Sequence, residues 1–391
     1  MDPIRSALEL ARTLSRLGHP AVLVGGAVRD LLLGRTPHDG DLATAAPPEA
    51  LEALFPSLRR LDRPGGTTFL LPGPEGLLHE TVSTFPGTLQ DDLARRDLTV
   101  NALALDPRGL LLDPTGGRED LLAGRLRFTG EGADRLREDP LRALRLARFA
   151  AQLPGFAPTP DAVRCCREFA FPLGTLPPGR RGGELWRALG TDPARFLRWV
   201  RLLGLRDPFP ELPPLPASAP PFLRRTCART SDPVARAAAL LETLPPRDPP
   251  APAETLLSLG WPRGALRDLL ALLSLPRDGE IPDTPAARRP LRQASPENLR
   301  RWLLLDSLRD AAPSPNRRAL REAALRRLAL PSRPSLSPKL AAHLEALPPD
   351  LRKEAGEAAQ DRAFLEPGMG FEEALVHQLR ALSPPRVDAM G

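Results

Sequence analysis

The chain of 391 residues contains no tyrosine, only 13 phenylalanines and 4 tryptophans. A core so short of aromatics must be built from Leu, Ala and Val, which favours helices over a β-sandwich. Lysine is nearly absent: Lys339 and Lys353 are the only two, so the excess of 54 basic over 48 acidic residues is almost wholly guanidinium. Arginine forks suit phosphates and planar groups, although a GC-rich genome writes the same bias, so placement has to decide. Cys165, Cys166 and Cys227 offer neither a disulfide framework nor zinc-site spacing. The adjacent pair reads as helix packing in a reducing compartment. No run approaches the roughly 18 apolar residues of a membrane span, and the start MDPIRSALEL lacks the basic head and apolar run of a signal peptide. The expectation is a soluble, cytoplasmic protein with no membrane partner.

Proline (49) and glycine (30) are plentiful, but together they stay below the roughly 25% at which low-complexity disorder becomes the default. The chain therefore folds, with many hard stops. At roughly 100 to 200 residues per domain, it holds two to four packed units. Ile4, Ala7, Leu8, Ala11 and Leu14 recur at helical spacing, and Ala21 to Val24 form a strand that breaks at Gly25-Gly26. A helical pattern over Ala27 to Leu33 stops at Gly34, before a strand-like segment around Asp39 to Ala43. Further strands are expected at Thr67 to Leu71, Leu77 to Ser83 and Gly109 to Leu112. Beyond Arg135 the pattern is helical, with proline-dense breaks at Asp207 to Pro221 and Leu244 to Pro252. The expected architecture is an α/β head (1–130) followed by all-α segments at 131–205, 206–330 and 331–391.

Asp39 and Asp41, two apart in a strand, leave the same face with Cα atoms about 6 to 7 Å apart. Paired carboxylates of this kind can hold a hard divalent ion that also binds substrate phosphates. Asp-x-Asp alone is equally a polar turn, with Gly40 as the bend. The turn at Gly25-Gly26 would aim backbone N–H groups at an anion, with Arg29 one turn further in. It is neither a P-loop nor a dinucleotide turn. The run Arg95-Arg96-Asp97-Leu98-Thr99-Val100-Asn101 could hold a triphosphate and ribose together, or be a capped helix start with a solvated arginine pair. Asp113-Pro114-Thr115-Gly116-Gly117 reads as a structural turn. In Glu138-Asp139-Pro140-Leu141-Arg142, Pro140 suits the first position of a helix and Asp139 its N-cap. Arg142, Arg145 and Arg148 then follow along one side, as a wet basic face or as donors to a ligand. An acceptor at Asp139 and donors at Arg142 could pair with the Watson–Crick edge of a base.

Taken in order, Val24-Gly-Gly-Ala-Val-Arg-Asp30, Asp39-Gly-Asp41, Arg95-Arg-Asp-Leu-Thr-Val-Asn101, Asp113-Pro-Thr-Gly-Gly117 and Glu138-Asp-Pro-Leu-Arg142 closely resemble the class II tRNA nucleotidyltransferase and bacterial poly(A) polymerase family. The resemblance spans residues 20 to 150, is weaker at Gly183-Glu184-Leu185 and Phe209-Pro-Glu-Leu212, and fades beyond. It implies a polymerase-β-like nucleotidyltransferase head followed by an all-α neck, body and tail. It also implies transfer of nucleotides to tRNA 3′ ends without a nucleic-acid template. On that resemblance Asp39 and Asp41 bind catalytic Mg²⁺, while Gly25, Gly26 and Arg29 contact the incoming nucleotide. Arg96 and Asp97 hold its phosphate and sugar, Asp139 and Arg142 read its base, Glu138 orients Arg142, and Arg145 and Arg148 contact phosphates. Glu80 is a further carboxylate near the metals. The attacking group is the RNA's own 3′-hydroxyl.

Two departures from the family pattern matter, the first of them for the subtype. Full CCA-adding relatives usually carry a flexible segment between the strand around Glu80 and the Arg95-Arg96-Asp97 motif, associated with switching the pocket from CTP to ATP. Here only Thr81 to Ala94 separates them. The short segment favours a CC-adding enzyme using CTP, acting with a separate A-adding enzyme; the alternatives are a full CCA-adding enzyme that also uses ATP, a poly(A) polymerase, or a non-catalytic RNA-binding protein. The other departure is Gly40, where bulkier residues are usual. The acceptor arm of tRNA would be held by phosphate contacts from Arg195, Arg198 and Arg201 and from Arg317, Arg318, Arg321, Arg326 and Arg327, or these are solvated faces. Monomer and homodimer both remain open.

Overall fold

The computed structural model describes residues 3–56, 59–63, 66–72, 78–85, 87–169, 171–205, 208–210, 212, 219–244, 257–275, 290–309 except 292, 315–329, 337–345 and short stretches between 348 and 377. Most of the breaks at Asp207 to Pro221 and Leu244 to Pro252, and most of 331–391, lie outside them. The chain divides into two units, Met1–Ala219 with Leu244–Trp261, and Pro220–Thr243 with Pro262–Gly391.

The first unit opens with α1 (Pro3–Arg16), whose Ile4, Ala7, Ala11 and Leu14 are buried. It leads into β1 (Ala21–Val24), an interior strand of a seven-stranded sheet in the order β3-β4-β5-β2-β1-β6-β7. Gly25 takes φ 76°, a value that only glycine adopts at little cost, and turns the chain into α2 (Gly26–Leu32). The sheet continues with β2 (Gly40–Thr44), β3 (Arg59–Arg63), β4 (Gly66–Pro72), β5 (Leu78–Thr84), β6 (Ala104–Leu105) and β7 (Leu111–Leu112), with α3 (Pro48–Leu54) between β2 and β3. All pairings are antiparallel except β2 with β5. The strand β3 was not expected: Arg-Arg-Leu-Asp-Arg lacks apolar alternation because it forms the sheet edge, where charge discourages pairing with other chains. Val24, Ala43, Phe85, Leu93, Ala102 and Ala104 form one core cluster of the head.

After β5 the chain enters α4 (Leu89–Ala94), opened by a capping box in which Thr88 and Asp91 satisfy each other's backbone N–H. Residues 95–97 turn out of α4, Leu98 bridges to Phe128, and the segment closes in a 3₁₀ turn, Thr99–Asn101. Asp113 accepts from the N–H groups of Gly117 (2.8 Å) and Arg118 (2.9 Å), which starts α5 (Gly117–Leu122). A Cβ on Gly117 would sit 2.1 Å from the Thr99 carbonyl oxygen. The second glycine of that turn is therefore a packing requirement.

Next come β8 (Arg125–Leu126), α6 (Gly132–Glu138), α7 (Leu141–Gln152), β9 (Ala157–Pro158), α8 (Pro160–Phe169), α9 (Pro178–Leu189) and α10 (Pro193–Leu202). Asp139 stands at a junction rather than at a simple helix start: it ends α6 and also accepts from the Leu141 N–H at 3.2 Å. α7 packs against α9 and α10 and is buried over most of its circumference, more than an amphipathic surface helix.

In the second unit, α11 (Pro221–Arg229), α12 (Pro233–Thr243) and the helices Arg263–Leu273, Pro296–Ser307 and Pro315–Ala329 pack together. Several of its described arginines are engaged internally. Asp306, 1% exposed, accepts from Arg309, Arg317 and Arg321. Arg301 binds Asp232 (2.5 Å), Asp268 (3.2 Å) and Glu297 (2.6 Å). Two of the five arginines expected on an RNA-facing helix, Arg317 and Arg321, are thus tied to a buried carboxylate, while Arg318 is exposed. The side chain of Arg326 lies outside the described residues.

Candidate active site

The site lies in the first unit, where the Gly25-Gly26 turn, the start of β2, the 95–101 segment and the α6–α7 junction carry the residues singled out above. Gly25 donates its N–H to the Leu103 carbonyl (3.1 Å), fixing the turn beside the 3₁₀ segment. A Cβ at Gly25 would come within 3.0 Å of Arg96 Nη1, so the guanidinium packs against the turn. Arg96 Nη2 also donates to Asp92 of α4 at 3.1 Å.

Asp39 immediately precedes β2 and Asp41 is its second residue. In the parallel register Asp41 pairs with Thr81 and Gly40 with Glu80. The Thr81 hydroxyl accordingly donates to Asp41 Oδ1 at 2.5 Å, leaving the other oxygen of Asp41 without a partner among the described residues. The side chain of Glu80 lies outside them. The Asp39 carboxyl is held above its ordinary value by loss of surrounding water, then by the charges of Asp41 and Asp30. Among the described residues no ion pair reaches Asp39 or Asp41, whereas Asp30 is paired with Arg29. Among the described residues no group of three or more His, Cys, Asp or Glu side chains could hold a metal. Two carboxylates suit a hard divalent ion that completes its shell with water and substrate phosphates.

Arg29 is 3% exposed and fully engaged. It donates to Asp30 through Nε and Nη2, both at 2.9 Å, and through Nη1 to Asn101 Oδ1 at 2.6 Å. The Asn101 amide donates in turn to Asp97 Oδ1 (3.1 Å), and Asp97 Oδ2 accepts from Arg145 Nε at 2.7 Å. Burial works against the charge on Asp97, but Arg145, Asn101 and the Leu98 N–H outweigh it and hold the carboxyl below its ordinary value. A line of alternating charge thus runs from the glycine turn of the head to α7.

Arg142 donates to Glu138 (2.9 Å), to the Arg135 carbonyl (3.2 Å) and to the Arg95 carbonyl (3.0 Å), so both the head and α6 orient it. Asp139 Oδ2 accepts from Arg180 of α9 at 2.8 Å. Arg148 departs from the stripe. It is buried, donates to Glu184 at 2.5 Å and to Gln152 at 2.9 Å, and lies over the Phe149 ring at 3.9 Å.

The structure therefore brings Gly25, Arg96, Arg29, Asp97 and Arg145 into one connected set and places Arg142 and Asp139 at its neck end, while Arg148 points into the α7–α9 packing. Sequence reasoning missed four members: Asn101, Thr81, Arg180 and Glu184. Asn101 lay inside a motif already singled out, and Glu184 inside the weaker Gly183-Glu184-Leu185 match. Thr81 and Arg180 carry no local signal, because strand register and helix packing alone bring them to their partners.

The head is thus a mixed sheet with two carboxylates at the start of a central strand, followed by helices that carry Asp139 and Arg142. Residues 21–70 and 73–127 match the family described as the poly(A) polymerase head domain. It is 37% identical over 227 residues to the CCA-adding enzyme of Geobacillus stearothermophilus, covering 54% of this chain and 55% of that enzyme. It is 41% identical over 152 residues to the CC-adding tRNA nucleotidyltransferase of Halalkalibacterium halodurans, covering 39% and 40%. The chain thus spans about half the length of the sequence relatives it matches. In three dimensions it is similar to the Bacillus stearothermophilus CCA-adding enzyme in complex with CTP, with a TM-score of 0.58 and 28% identity over 97% of this chain and 93% of the other. The Thermotoga maritima CCA-adding enzyme complexed with tRNA shares the fold at 20% identity, with a TM-score of 0.58 over 97% and 95% of the two chains. The expected α/β head followed by helical segments is the fold found. No helix among the described residues is long and apolar enough to cross a membrane.

Proposed function

We propose that the protein is a tRNA nucleotidyltransferase that adds two CMP residues to tRNA 3′ ends from CTP, releasing pyrophosphate. The general reaction is supported by the paired carboxylates Asp39 and Asp41 beside an arginine-lined turn. Mg²⁺ held by these two would neutralise charge on the triphosphate and clamp the attacking and leaving oxygens. The protein's own groups position the reactants. Gly25, Gly26 and Arg96 form the triphosphate side, and Asp97 and Arg145 the sugar side. Asp139 accepts from the cytosine amino group while Arg142, oriented by Glu138, donates to its ring nitrogen. Catalysis is then positioning and charge stabilisation, with no protein nucleophile. Arg29 acts from within, through Asn101, and Arg148 through α7.

The observation that carries the CC reading is the connection between β5 and α4. β5 ends at Thr84 and α4 begins at Leu89. Phe85 is buried in the head core and Thr88 is locked in the capping box, so both ends of the link are tied down. A link this short supports the absence of the flexible segment of full CCA-adding relatives. Full CCA addition is the second reading, favoured by the identity to the Geobacillus enzyme.

The test is product length on a tRNA transcript lacking its 3′ CCA, with Mg²⁺ and CTP alone, ATP alone, or both. Growth by two that ATP does not extend is the expected result. Growth by three with both nucleotides would replace it with full CCA addition. A long ATP ladder would point to poly(A) synthesis, and silence in every lane to an RNA-binding protein.

A further inference from the structure

Asn101 is buried at 6% exposure and lies between two charged groups of opposite sign. Its two amide atoms are not interchangeable there. Oδ1 meets the Arg29 guanidinium at 2.6 Å and Nδ2 meets the Asp97 carboxylate at 3.1 Å. A flipped amide would set donor against donor and acceptor against acceptor, so the partners fix its orientation. The remaining bonds extend the line at both ends: Asp30 grips Arg29, and Arg145 grips the far oxygen of Asp97. From α5, Asp120 accepts from Thr99 of the same 3₁₀ turn at 2.7 Å, which fixes the backbone that carries Asn101.

Arg29 belongs to the helix after the glycine turn, whereas Arg145 belongs to the helix that also carries Arg142. Asn101 is the only neutral member of the line that joins them. We infer that Asn101 is a positioning residue: its amide polarity sets the alignment of Asp97 and Arg145 against the Gly25 turn, and thereby the affinity for the nucleotide sugar and phosphates. The inference rests on the nucleotide-binding reading of the preceding section.

Asn101→Asp isolates the polarity, because it preserves size and the acceptor towards Arg29 while replacing the donor that faces Asp97 with a second acceptor. Two carboxylates that close cannot both ionise readily, so one proton is held well above the ordinary carboxyl range. The protonated acid offers a hydroxyl donor to Asp97 and a carbonyl to Arg29, as the amide does. The charged groups facing it are Arg29 and Asp30 from α2, Asp97, Arg145 from α7 and Asp120 from α5.

The experiment measures CTP and dCTP affinity by calorimetry, CMP incorporation, and thermal melting, for wild type, Asn101→Asp and Asn101→Ala between pH 5.5 and 8.5. The expected result at pH 8 is a rise of about 10-fold in the Kd and KM for CTP with Asn101→Asp, kcat within twofold, and a smaller rise with Asn101→Ala. The CTP-to-dCTP preference should fall in both. On acidification Asn101→Asp should recover relative to wild type, whereas Asn101→Ala should not. The inference is overturned if Asn101→Asp binds CTP like wild type, or if binding, kcat and melting temperature fall together without pH-dependent recovery. If Asn101→Asp does not fold, Asn101→Ala decides alone through its Kd and its CTP-to-dCTP preference. Wild type that neither binds CTP nor incorporates CMP would instead refute the function proposed above.

Discussion

Glu184 offers the sharpest energetic test of how the neck is held. Its side chain is 2% exposed and that of its partner Arg148 is 9%, at an Nε to Oε2 distance of 2.5 Å. Desolvation lowers the pKa of Arg148 while the Glu184 charge opposes that shift, so removing this carboxylate would leave a buried guanidinium without its counter-charge. Glu184→Gln keeps the shape and one acceptor but removes the charge. Breaking a buried pair by neutralising one partner costs about 3–5 kcal/mol. For a unit of roughly 150–250 residues, about 1 kcal/mol shifts Tm by about 2–4 °C, so the fall should be on the order of 10 °C. The second bond of Glu184, to Arg187 at 3.0 Å, reaches a side chain 61% exposed and adds little. Calorimetry on Glu184→Gln, Arg148→Met and the double variant Glu184→Leu/Arg148→Met gives the answer. The double variant should recover more than half of the loss, because apolar pairs of similar volume replace buried ion pairs at little cost. A single-variant shift below 2 °C, or a double variant worse than the sum of the singles, would refute the reasoning.

Other outcomes follow from the same geometry. Asp41→Ala should abolish CMP incorporation in single-turnover assays while leaving tRNA affinity, measured by filter binding, unchanged. Thr81→Val, which removes the hydroxyl on Asp41, should raise the Mg²⁺ concentration for half-maximal rate by about 10-fold, read from a Mg²⁺ titration. Because the folded pKa of Asp39 is raised from 3.8, its contribution to stability is fully present below that value and is lost as pH rises through the raised one. Melting curves against pH without metal should therefore show a decline that Asp39→Asn lacks. Gly117→Ala, whose Cβ would meet the Thr99 carbonyl oxygen at 2.1 Å, should cost about 1–3 kcal/mol, visible in urea denaturation.

The head was legible because its chemistry is local. The turn at Gly25-Gly26, the strand with Asp41 and the 95–101 run each announce themselves within a few residues, and all of them occupy the first unit. What escaped the sequence depends on partners far along the chain. Arg142, Arg145 and Arg148 share one spacing but not one environment, since Glu184 lies 36 residues from Arg148 and Asp97 lies 48 from Arg145. A repeat of three fixes only the side of the helix, and α7 is covered on nearly every side. β3 was missed for the opposite reason: a charged edge strand needs no apolar face, so no periodicity marks it. In the second unit, Arg317 and Arg321 look like an RNA-facing patch until Asp306, on the preceding helix, is seen to accept from both.

Under the function proposed above, base selection is where these long-range contacts would meet the chemistry. Asp139 presents acceptors only, and both oxygens are steadied, Oδ1 by the Leu141 N–H and Oδ2 by Arg180. Beside it Arg142 presents donors only, held by Glu138 and by carbonyls of Arg95 and Arg135. Cytosine offers an amino donor and a ring acceptor to that pair, whereas uracil offers a carbonyl and an N–H and meets like with like. Asp139→Asn supplies an amide that can turn either face outward, at the expense of one of its two internal bonds. Losing one specific base-edge contact of this kind is worth about 1–3 kcal/mol, so UMP incorporation relative to CMP should rise by about 5- to 150-fold. The assay is single-turnover competition between CTP and UTP on the same tRNA end. Arg180→Met should shift the ratio in the same direction by less, since it frees Asp139 without changing its chemistry. Unchanged selectivity in Asp139→Asn would place the base elsewhere and leave Asp139 as a tie between α6, α7 and α9.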